Sequence, residues 1–246
     1  MKILEGMKVT KLFGGFIALH NVDFCVYKSE IVGLIGPNGA GKTTLFNIIT
    51  GAIPATSGII KFEGKNITGL RPHEICKLGI ARTFQIPKPF PRMNVYENLL
   101  AAATFGRSKS KDNKSSDLKQ EINQIMEKFG LKSKSKTLAS NLAMFEQRML
   151  EIARALIIRP KLLLLDEVLA GLNPKETMQA VKIIQELREE GTTIFMIEHN
   201  MRAIMGLSDR IIVLHQGMKI AEGKPEEVSK NIRVIEAYLG EAYVKS

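Results

Sequence analysis

One segment, residues 36–44 with the sequence GPNGAGKTT, constrains the fold of this chain more than any other. It matches the phosphate-loop pattern G-x-x-x-x-G-K-[ST] at every specified position. Those positions are Gly36, Gly41, Lys42 and Thr43. The apolar residues 31–35 favour a buried strand before the loop, and residues 43–50 favour a helix after it. Because this order presents backbone N–H groups and a helix N-terminus to an anion, the segment predicts a phosphate-binding α/β fold.

The same motif assigns roles to side chains. Lys42 is expected to reach the β- and γ-phosphates of a nucleotide, and the Thr43 hydroxyl is expected to ligate Mg²⁺. The predicted nucleotide-binding residues of the loop are Gly36, Pro37, Asn38, Gly39, Ala40, Gly41, Lys42, Thr43 and Thr44. The alternative is a glycine-rich turn with a surface lysine, which the flanking strand and helix patterns disfavour.

The positive charge of the chain admits several partners. A net charge of +10 over 246 residues fits nucleic acid, an anionic membrane surface or a phosphate ligand. Much of the excess lies in residues 107–119 and 132–136, whose serine and lysine content is typical of solvated loops. Since neither run interleaves aromatic residues that stack on bases, we expect no nucleic-acid partner.

Hydropathy and cysteine content favour a cytosolic location. No apolar run approaches the roughly 20 residues that cross a bilayer, and the first residues do not form a signal peptide. Cys25 and Cys76 lack metal-binding spacing and are expected to be reduced packing residues. We expect a cytosolic protein, or one bound to the cytosolic side of a membrane.

Strand patterns that alternate with helix patterns predict a mostly parallel sheet. Residues 161–166 (KLLLLD) form a continuous apolar run, which is typical of a strand buried on both faces, and residues 192–197 form another. A further strand is expected at residues 80–84. Because ligands bind at the carboxyl ends of parallel strands, the side chains that follow these strands should meet the phosphate loop at one edge. They are Gln85, Asp166, Glu167 and His199.

The rest of the chain divides around this sheet. Residues 87–158 are predicted to be an inserted helical subdomain, in which Asn94 and Glu97 have capping-box spacing. Residues 1–86 and 159–246 would then form the core of a single domain.

Two short strands are predicted before the phosphate loop, at residues 8–13 and 22–26. Phe13 ends the first strand and is a candidate to stack on a nucleotide base. An ordinary aromatic core residue is an equal alternative for Phe13 at this point.

Five motifs carry a family resemblance: GPNGAGKTT, ARTFQ, LLLLDE, AGLNP and MIEHN. In this order and spacing they resemble the ATPase subunit of an ABC transporter, and the match covers nearly the whole chain. FGG before the phosphate loop, MNVYENLLAAA after ARTFQ and the ending VIEAYLGEA are similar to the subunits that drive branched-chain amino acid uptake. The resemblance implies a P-loop NTPase (RecA-like) core with an antiparallel β-subdomain and an inserted α-helical subdomain.

The resemblance also implies how ATP and Mg²⁺ are held. Lys42 and the loop amides would hold the phosphates, Thr43 and Gln85 would ligate Mg²⁺, and Asp166 would hold the ion through water.

Catalysis is implied for the neighbouring residues. Glu167 would act as the general base on the attacking water, His199 would contact the γ-phosphate, and Phe13 would stack on adenine. With Lys42 and Gln85, Glu167 and His199 form the expected catalytic set. The alternatives are a supporting carboxylate for Glu167 and a hydrogen-bonded histidine at a strand end for His199.

One motif departs from the family pattern. The signature LSGGQ falls on residues 142–146 (LAMFE), just before a helix expected to begin near Glu146. Ala143 lacks the serine hydroxyl, and Met144 and Phe145 place side chains where backbone should approach phosphate. Glu146 adds a negative charge. Because one lost transition-state donor costs roughly 3 kcal/mol, the site that this loop completes should hydrolyse ATP about 10²-fold or more slowly.

Two dimeric arrangements follow from this departure. In the favoured one, the chain pairs with a different ATPase subunit that carries an intact signature. In the other, the chain forms a homodimer with two weak sites. Engineering of residues 143–146 is a third explanation that the sequence leaves open.

The expected function is ATP-driven energy coupling in an importer, at the cytoplasmic face of the membrane, with residues 87–97 contacting the permease. A soluble ABC ATPase acting on nucleic acid or ribosomes is disfavoured, because the chain has neither tandem ATPase domains nor a long coiled-coil insertion. A non-catalytic nucleotide-binding module is the third candidate. The assignment of branched-chain amino acids as the transported substrate rests on family similarity, and urea or amides are alternative substrates.

Overall fold

The computed structural model describes residues 1–85, 87–107 and 115–239. In this part of the chain the strands are β1 (Lys2–Phe13), β2 (Phe16–Tyr27), β3 (Ile31–Ile35), β4 (Ser57–Phe62), β5 (Lys65–Asn66), β6 (Ile80–Arg82), β7 (Leu162–Asp166), β8 (Thr193–Ile197), β9 (Arg210–His215) and β10 (Met218–Gly223). The helices are α1 (Lys42–Ile49), α2 (Pro72–Leu78), α3 (Val95–Gly106), α4 (Ser115–Lys128), α5 (Met144–Ile157), α6 (Pro174–Glu189), α7 (Met201–Leu207), α8 (Pro225–Val228) and α9 (Ile232–Leu239). Over these residues, no helix combines the length and apolar character needed to cross a membrane.

The larger sheet carries the predicted ligand-binding edge. It has six strands in the order β10-β9-β3-β8-β7-β6, and only the pairing of β10 with β9 is antiparallel among its described strands. Every residue of β3, β7 and β8 is buried. Strands buried on both faces read as continuous apolar runs, which is why these three were predictable. The expectation of a mostly parallel sheet is confirmed.

The smaller sheet is antiparallel, with the order β2-β1-β4-β5. Its first two strands each have twelve residues and are far longer than the strands predicted at residues 8–13 and 22–26. Register shifts interrupt their pairing, including one between Gly6 and Val9, and Lys8 has a φ of 49°. Such bulges break the alternation of apolar and polar residues, so the sequence pattern showed only part of each strand.

The helical segment packs against the larger sheet. Buried residues of α3, α4 and α5 belong to the same apolar cluster as Ile31 and Ile35 of β3. Asn94 and Glu97 form the predicted capping box, with reciprocal bonds of 2.8 Å. The division of the chain at residues 87–158 stays a prediction. Part of the lysine-rich run, residues 108–114, lies outside the described residues, as does the end of the chain from residue 240.

Two element boundaries differ from the prediction. Helix α5 begins at Met144 rather than near Glu146, because the Glu146 carboxylate accepts a hydrogen bond from the backbone N–H of Ala143 at 2.9 Å and caps the helix. Strand β6 ends at Arg82 rather than at Phe84. The main-chain groups of Phe84 are bound by side chains of α5 and not by a neighbouring strand.

Candidate functional site

The phosphate loop connects β3 to α1 and depends on two of its glycines. Gly36 has a φ of 151°, and a Cβ atom there would lie 2.1 Å from the Leu214 carbonyl oxygen. Gly41 has a φ of 101°, and its Cβ atom would lie 2.6 Å from the Ala18 carbonyl oxygen. Only glycine meets both the conformation and the close approach at these positions.

Lys42 lies folded against its own loop. Its Nζ donates to the carbonyl oxygens of Gly36 at 2.6 Å and of Pro37 at 3.0 Å, and the residue is 6% exposed. Burial lowers the pKa of Lys42, while the carboxylates of Glu167 and Asp166 act to raise it. The ammonium group is therefore held at the loop by its carbonyl oxygens, where it can compensate the charge of a bound phosphate.

Glu167 contacts two of the other three catalytic candidates at the sheet edge. Its Oε2 accepts a hydrogen bond from Nε2 of Gln85 at 2.7 Å, and its Oε1 lies 2.9 Å from Nε2 of His199. The Glu167 side chain is 12% exposed, and its backbone has a φ of 52°. The sequence predicted that these three residues would meet, and the structure brings them together.

Asp166 is buried one residue before Glu167. Its Oδ2 accepts a hydrogen bond from Nη2 of Arg82 at 2.7 Å, and its backbone N–H donates to the Thr83 hydroxyl at 3.1 Å. Arg82 also donates from Nη1 to Oδ1 of Asn47 in α1 at 2.7 Å. Sequence reasoning missed Arg82. The available signal was a charged residue inside a strand predicted to join the sheet, because a charged side chain that becomes buried requires a partner.

A cavity of about 660 Å³ opens over the phosphate loop. Its walls include most of the predicted site together with two residues of β2. The lining residues are Phe16, Ala18, Asn38, Gly39, Ala40, Gly41, Lys42, Thr43, Thr44, Gln85, Glu167 and His199. The phosphate loop, the general-base candidate and the histidine therefore line one space.

Phe13 is not part of that wall. It pairs with Phe16 across the β1–β2 hairpin, is 48% exposed, and has Nζ of Lys11 4.8 Å from its ring centroid. Phe16, which sequence reasoning missed, lines the cavity instead. The sequence signal was the hairpin itself, FGGF, because residues opposite each other in an antiparallel pair lie on one face.

The predicted metal ligands offer oxygen atoms. Thr43 and Gln85 line the cavity. Arg82 binds Oδ2 of Asp166, and Oδ1 is the second oxygen of that carboxylate. Hydroxyl, amide carbonyl and carboxylate oxygens are the donors that Mg²⁺ prefers, so the residues fit this ion. In the described ranges, no group of three or more His, Cys, Asp or Glu residues could hold a metal. An ion here would take further ligands from water and phosphate.

Helix α5 holds the backbone beside Gln85. Oε1 of Glu151 accepts a hydrogen bond from the Phe84 N–H at 2.7 Å, and Nη1 of Arg148 donates to the Phe84 carbonyl oxygen at 3.0 Å. Both side chains are buried. Burial raises the pKa of Glu151, and the Phe84 N–H and the two arginines Arg148 and Arg154 oppose the rise.

The altered signature segment lies away from this cavity, at the start of α5. Glu146 accepts from the Ala143 N–H through Oε2, and its Oε1 lies 3.5 Å from Nζ of Lys134. Met144 is 61% exposed. The first turn of α5 is thus capped by its own carboxylate.

Comparisons with known proteins agree with this geometry. A family model described as ABC transporter matches residues 19–170, and a model for the branched-chain amino acid ATP-binding cassette transporter matches residues 218–244. Over 241 residues the chain is 44% identical to LivG, a high-affinity branched-chain amino acid transport ATP-binding protein of Escherichia coli K12, with 94% of each chain covered.

Solved structures give the same result. A nucleotide-free ATP-binding cassette from an ABC transporter superposes with a TM-score of 0.88 at 35% identity, covering 98% of this chain and 100% of that one. The ADP conformation of the cassette MJ1267 gives a TM-score of 0.87 at 35% identity, with 98% and 100% covered. The likeness extends over nearly the whole chain.

Proposed function

The chain belongs to the ATP-binding proteins of ABC transporters, and we propose that it powers the uptake of branched-chain amino acids through a membrane permease. As a member of this family it is an ATPase that couples hydrolysis to transport. The match of residues 218–244 to a branched-chain amino acid family and the 44% identity to LivG support the choice of cargo.

One observation carries the proposal. Glu167 is held between Gln85 and His199 in the same cavity as the phosphate loop. A carboxylate in this position can act as the general base that takes a proton from the water attacking a terminal phosphate.

Binding of ATP uses the loop first. The loop amides and the N-terminus of α1 hold the phosphates, and Lys42 exchanges the carbonyl oxygens of Gly36 and Pro37 for phosphate oxygens. Phe16 presents its ring to the base at the wall of the cavity. Thr43, Gln85 and Asp166 would hold Mg²⁺, which would supply positive charge to the phosphates when bound.

Hydrolysis then depends on Glu167 and its neighbours. The carboxylate accepts the proton of the attacking water, while His199 donates to the γ-phosphate and Gln85 senses it. Because Glu167 is bonded to both residues, a substrate that engages His199 or Gln85 changes the position of the base.

The partner at the second site is proposed to be a different ATPase subunit. The N-terminal turn of α5 already has its Ala143 N–H bonded to Glu146, so this helix end offers one donor fewer and one negative charge more to a partner's phosphate. In the heterodimer, the nucleotide on this chain is hydrolysed and the nucleotide facing residues 142–146 is largely retained.

Single-turnover hydrolysis by the reconstituted pair distinguishes the two dimers. Glu167→Gln in this chain is expected to remove most of the hydrolysis, whereas the corresponding change in the other subunit should remove little. An equal loss from either change would rule out the asymmetric pair.

The membrane partner is proposed to dock on residues 87–97, at the cytoplasmic face. This segment begins two positions after Gln85 in the sequence, and Arg154 of α5 donates to the Lys88 carbonyl oxygen at 2.8 Å. The contact therefore joins the γ-phosphate sensor to the helical segment.

The cargo is tested in proteoliposomes that contain the chain with its permease and second ATPase subunit. ATP-dependent uptake of labelled leucine is expected, and the pair carrying Glu167→Gln serves as the control that binds ATP without turnover. Uptake of urea or acetamide with no leucine uptake would show that the transported substrate is not a branched-chain amino acid. Stimulation of ATP hydrolysis by RNA or ribosomes, without uptake, would favour the soluble alternative.

A further inference from the structure

Glu198 lies between the end of β8 and His199, and the mechanism above does not use it. The residue is 2% exposed, so substrate does not reach it. Its Oε1 accepts a hydrogen bond from the backbone N–H of Leu169 at 2.8 Å. Leu169 belongs to the turn that follows Glu167, so Glu198 connects this turn to the strand end beside it.

The turn has a second attachment to the same strand. The backbone N–H of Glu167 donates to the Ile197 carbonyl oxygen at 2.9 Å, and the Ala170 N–H closes the turn onto the Glu167 carbonyl oxygen at 3.2 Å. Glu167 itself adopts a φ of 52°, a conformation that non-glycine residues rarely take without support from their surroundings. The general base therefore depends on the Ile197 and Glu198 attachments for its place.

We propose that Glu198 is a positioning residue for hydrolysis, which holds the turn carrying Glu167 against the strand end carrying His199. The inference rests on the proposed function, because it concerns the placement of the base in ATP hydrolysis. In this role Glu198 holds the backbone in place and does not contact the substrate.

The charges around Glu198 make its hold sensitive to pH. The groups that face it are Glu167 from the turn, Arg148 from α5 and the backbone N–H of His199. Burial raises the pKa of Glu198 to about 7, Glu167 adds to the rise, and the Leu169 N–H, the His199 N–H and Arg148 oppose it. Because an ionised carboxylate is the stronger acceptor, its bond to Leu169 strengthens as the pH rises through about 7.

Two variants separate the acceptor from its charge. Glu198→Ala removes the acceptor of the Leu169 N–H, whereas Glu198→Gln keeps an oxygen in the same place and cannot ionise. ATP hydrolysis by the reconstituted pair is measured from about pH 6 to about pH 9, with kcat and KM separated. We expect Glu198→Ala to lower kcat about 10-fold or more with KM changed by less than about 2-fold.

Glu198→Gln is expected to recover most of the lost kcat. In the wild type we expect kcat to rise near pH 7 as Glu198 ionises, and this rise should be absent in Glu198→Gln. The matched control is Glu30→Gln, since Glu30 also accepts a backbone N–H, that of Tyr27, but lies before β3 at the opposite end of the sheet. The control is expected to leave kcat and its pH profile unchanged.

Three results would overturn the proposal: unchanged kcat in Glu198→Ala, equal losses of kcat and of nucleotide affinity, or the same pH rise in Glu198→Gln. Should Glu198→Ala fail to fold, the Glu198→Gln profile decides. A wild-type pair that binds no ATP would instead refute the proposed function, so the two failures are distinguishable.

Discussion

Arg82 donates from Nη2 to Oδ2 of Asp166 at 2.7 Å, and both side chains are almost completely buried. A buried ion pair costs about 3–5 kcal/mol when one partner is removed, because the other charge is left without compensation. We therefore expect Arg82→Met to lower the free energy of unfolding by about this amount, and Arg82→Lys to lower it less. Urea denaturation measures both changes.

The control for Arg82 is an exposed arginine that is also bound to a carboxylate. Arg159 donates from Nε and Nη2 to Glu121 at 2.9 Å each, but its side chain is 66% exposed. Exposed pairs contribute roughly 0–1 kcal/mol, so Arg159→Met should change stability by less than about 1 kcal/mol. Equal losses from Arg82→Met and Arg159→Met would contradict this prediction.

Binding of the nucleotide base should depend more on Phe16 than on Phe13. Phe16 lines the cavity, whereas Phe13 lies beside it across the hairpin. Because stacking of a base on an aromatic ring contributes about 1–3 kcal/mol, Phe16→Ala is expected to weaken ATP binding about 10-fold. Phe13→Ala should weaken it less. Titration of each variant with a fluorescent ATP analogue checks the order, which a larger loss in Phe13→Ala would reverse.

Stability should depend on pH through Glu198. Its pKa is about 7 in the folded chain against the ordinary glutamate value of 4.5, because burial disfavours the ionised form. A raised carboxyl pKa stabilises the fold at low pH, and this contribution is lost as the pH rises from about 4.5 through about 7. At about 1.4 kcal/mol per pKa unit, the loss amounts to about 3 kcal/mol.

Glu198→Gln removes the ionisable group, so it is expected to flatten this part of the pH dependence and to unfold at a higher temperature than the wild type at about pH 8. Thermal unfolding at several pH values measures the difference. An unchanged pH dependence in the variant would assign the effect to other groups.

Transport should be separable from hydrolysis at Phe90. The residue is 46% exposed within residues 87–97, and its ring centroid lies 4.6 Å from the guanidinium of Arg154. Phe90→Ala is expected to keep ATP hydrolysis within about 2-fold and to lower leucine uptake about 10-fold, because a truncated interface aromatic typically costs more than 1 kcal/mol. Tyr96→Ala should act in the same direction.

Phe105 provides the matched aromatic control for this experiment. It is 83% exposed near the end of α3, outside the proposed docking segment. The uptake of leucine per ATP hydrolysed is the quantity to compare. Equal uptake ratios in Phe90→Ala and in the wild type would refute the docking surface, as would the same decrease in Phe105→Ala.

Local pattern was enough to predict the sheet edge. The glycine loop and the apolar runs of β3, β7 and β8 are contiguous in sequence, and parallel topology then brings Lys42, Gln85, Glu167 and His199 together. The capping box of α3 was predictable for the same reason, since its two residues lie three positions apart.

Contacts between segments that are distant in the sequence were harder to predict. The pairing of Arg82 with Asp166 joins residues 84 positions apart, and the bond from Leu169 to Glu198 spans 29. The bulges of β1 depend on pairing with β2 and β4, so they do not appear as a regular period in the sequence. The placement of Phe16 at the cavity wall required the hairpin geometry.

The hydrogen bonds between α5 and Phe84 have a mechanical consequence. Glu151 holds the N–H of Phe84 and Arg148 holds its carbonyl oxygen, so both sides of one peptide residue are fixed to a single helix. Because Gln85 follows Phe84 in the chain, a tilt or slide of α5 is expected to carry Gln85 with it. We therefore expect the helical segment and Gln85, the proposed γ-phosphate sensor, to move together.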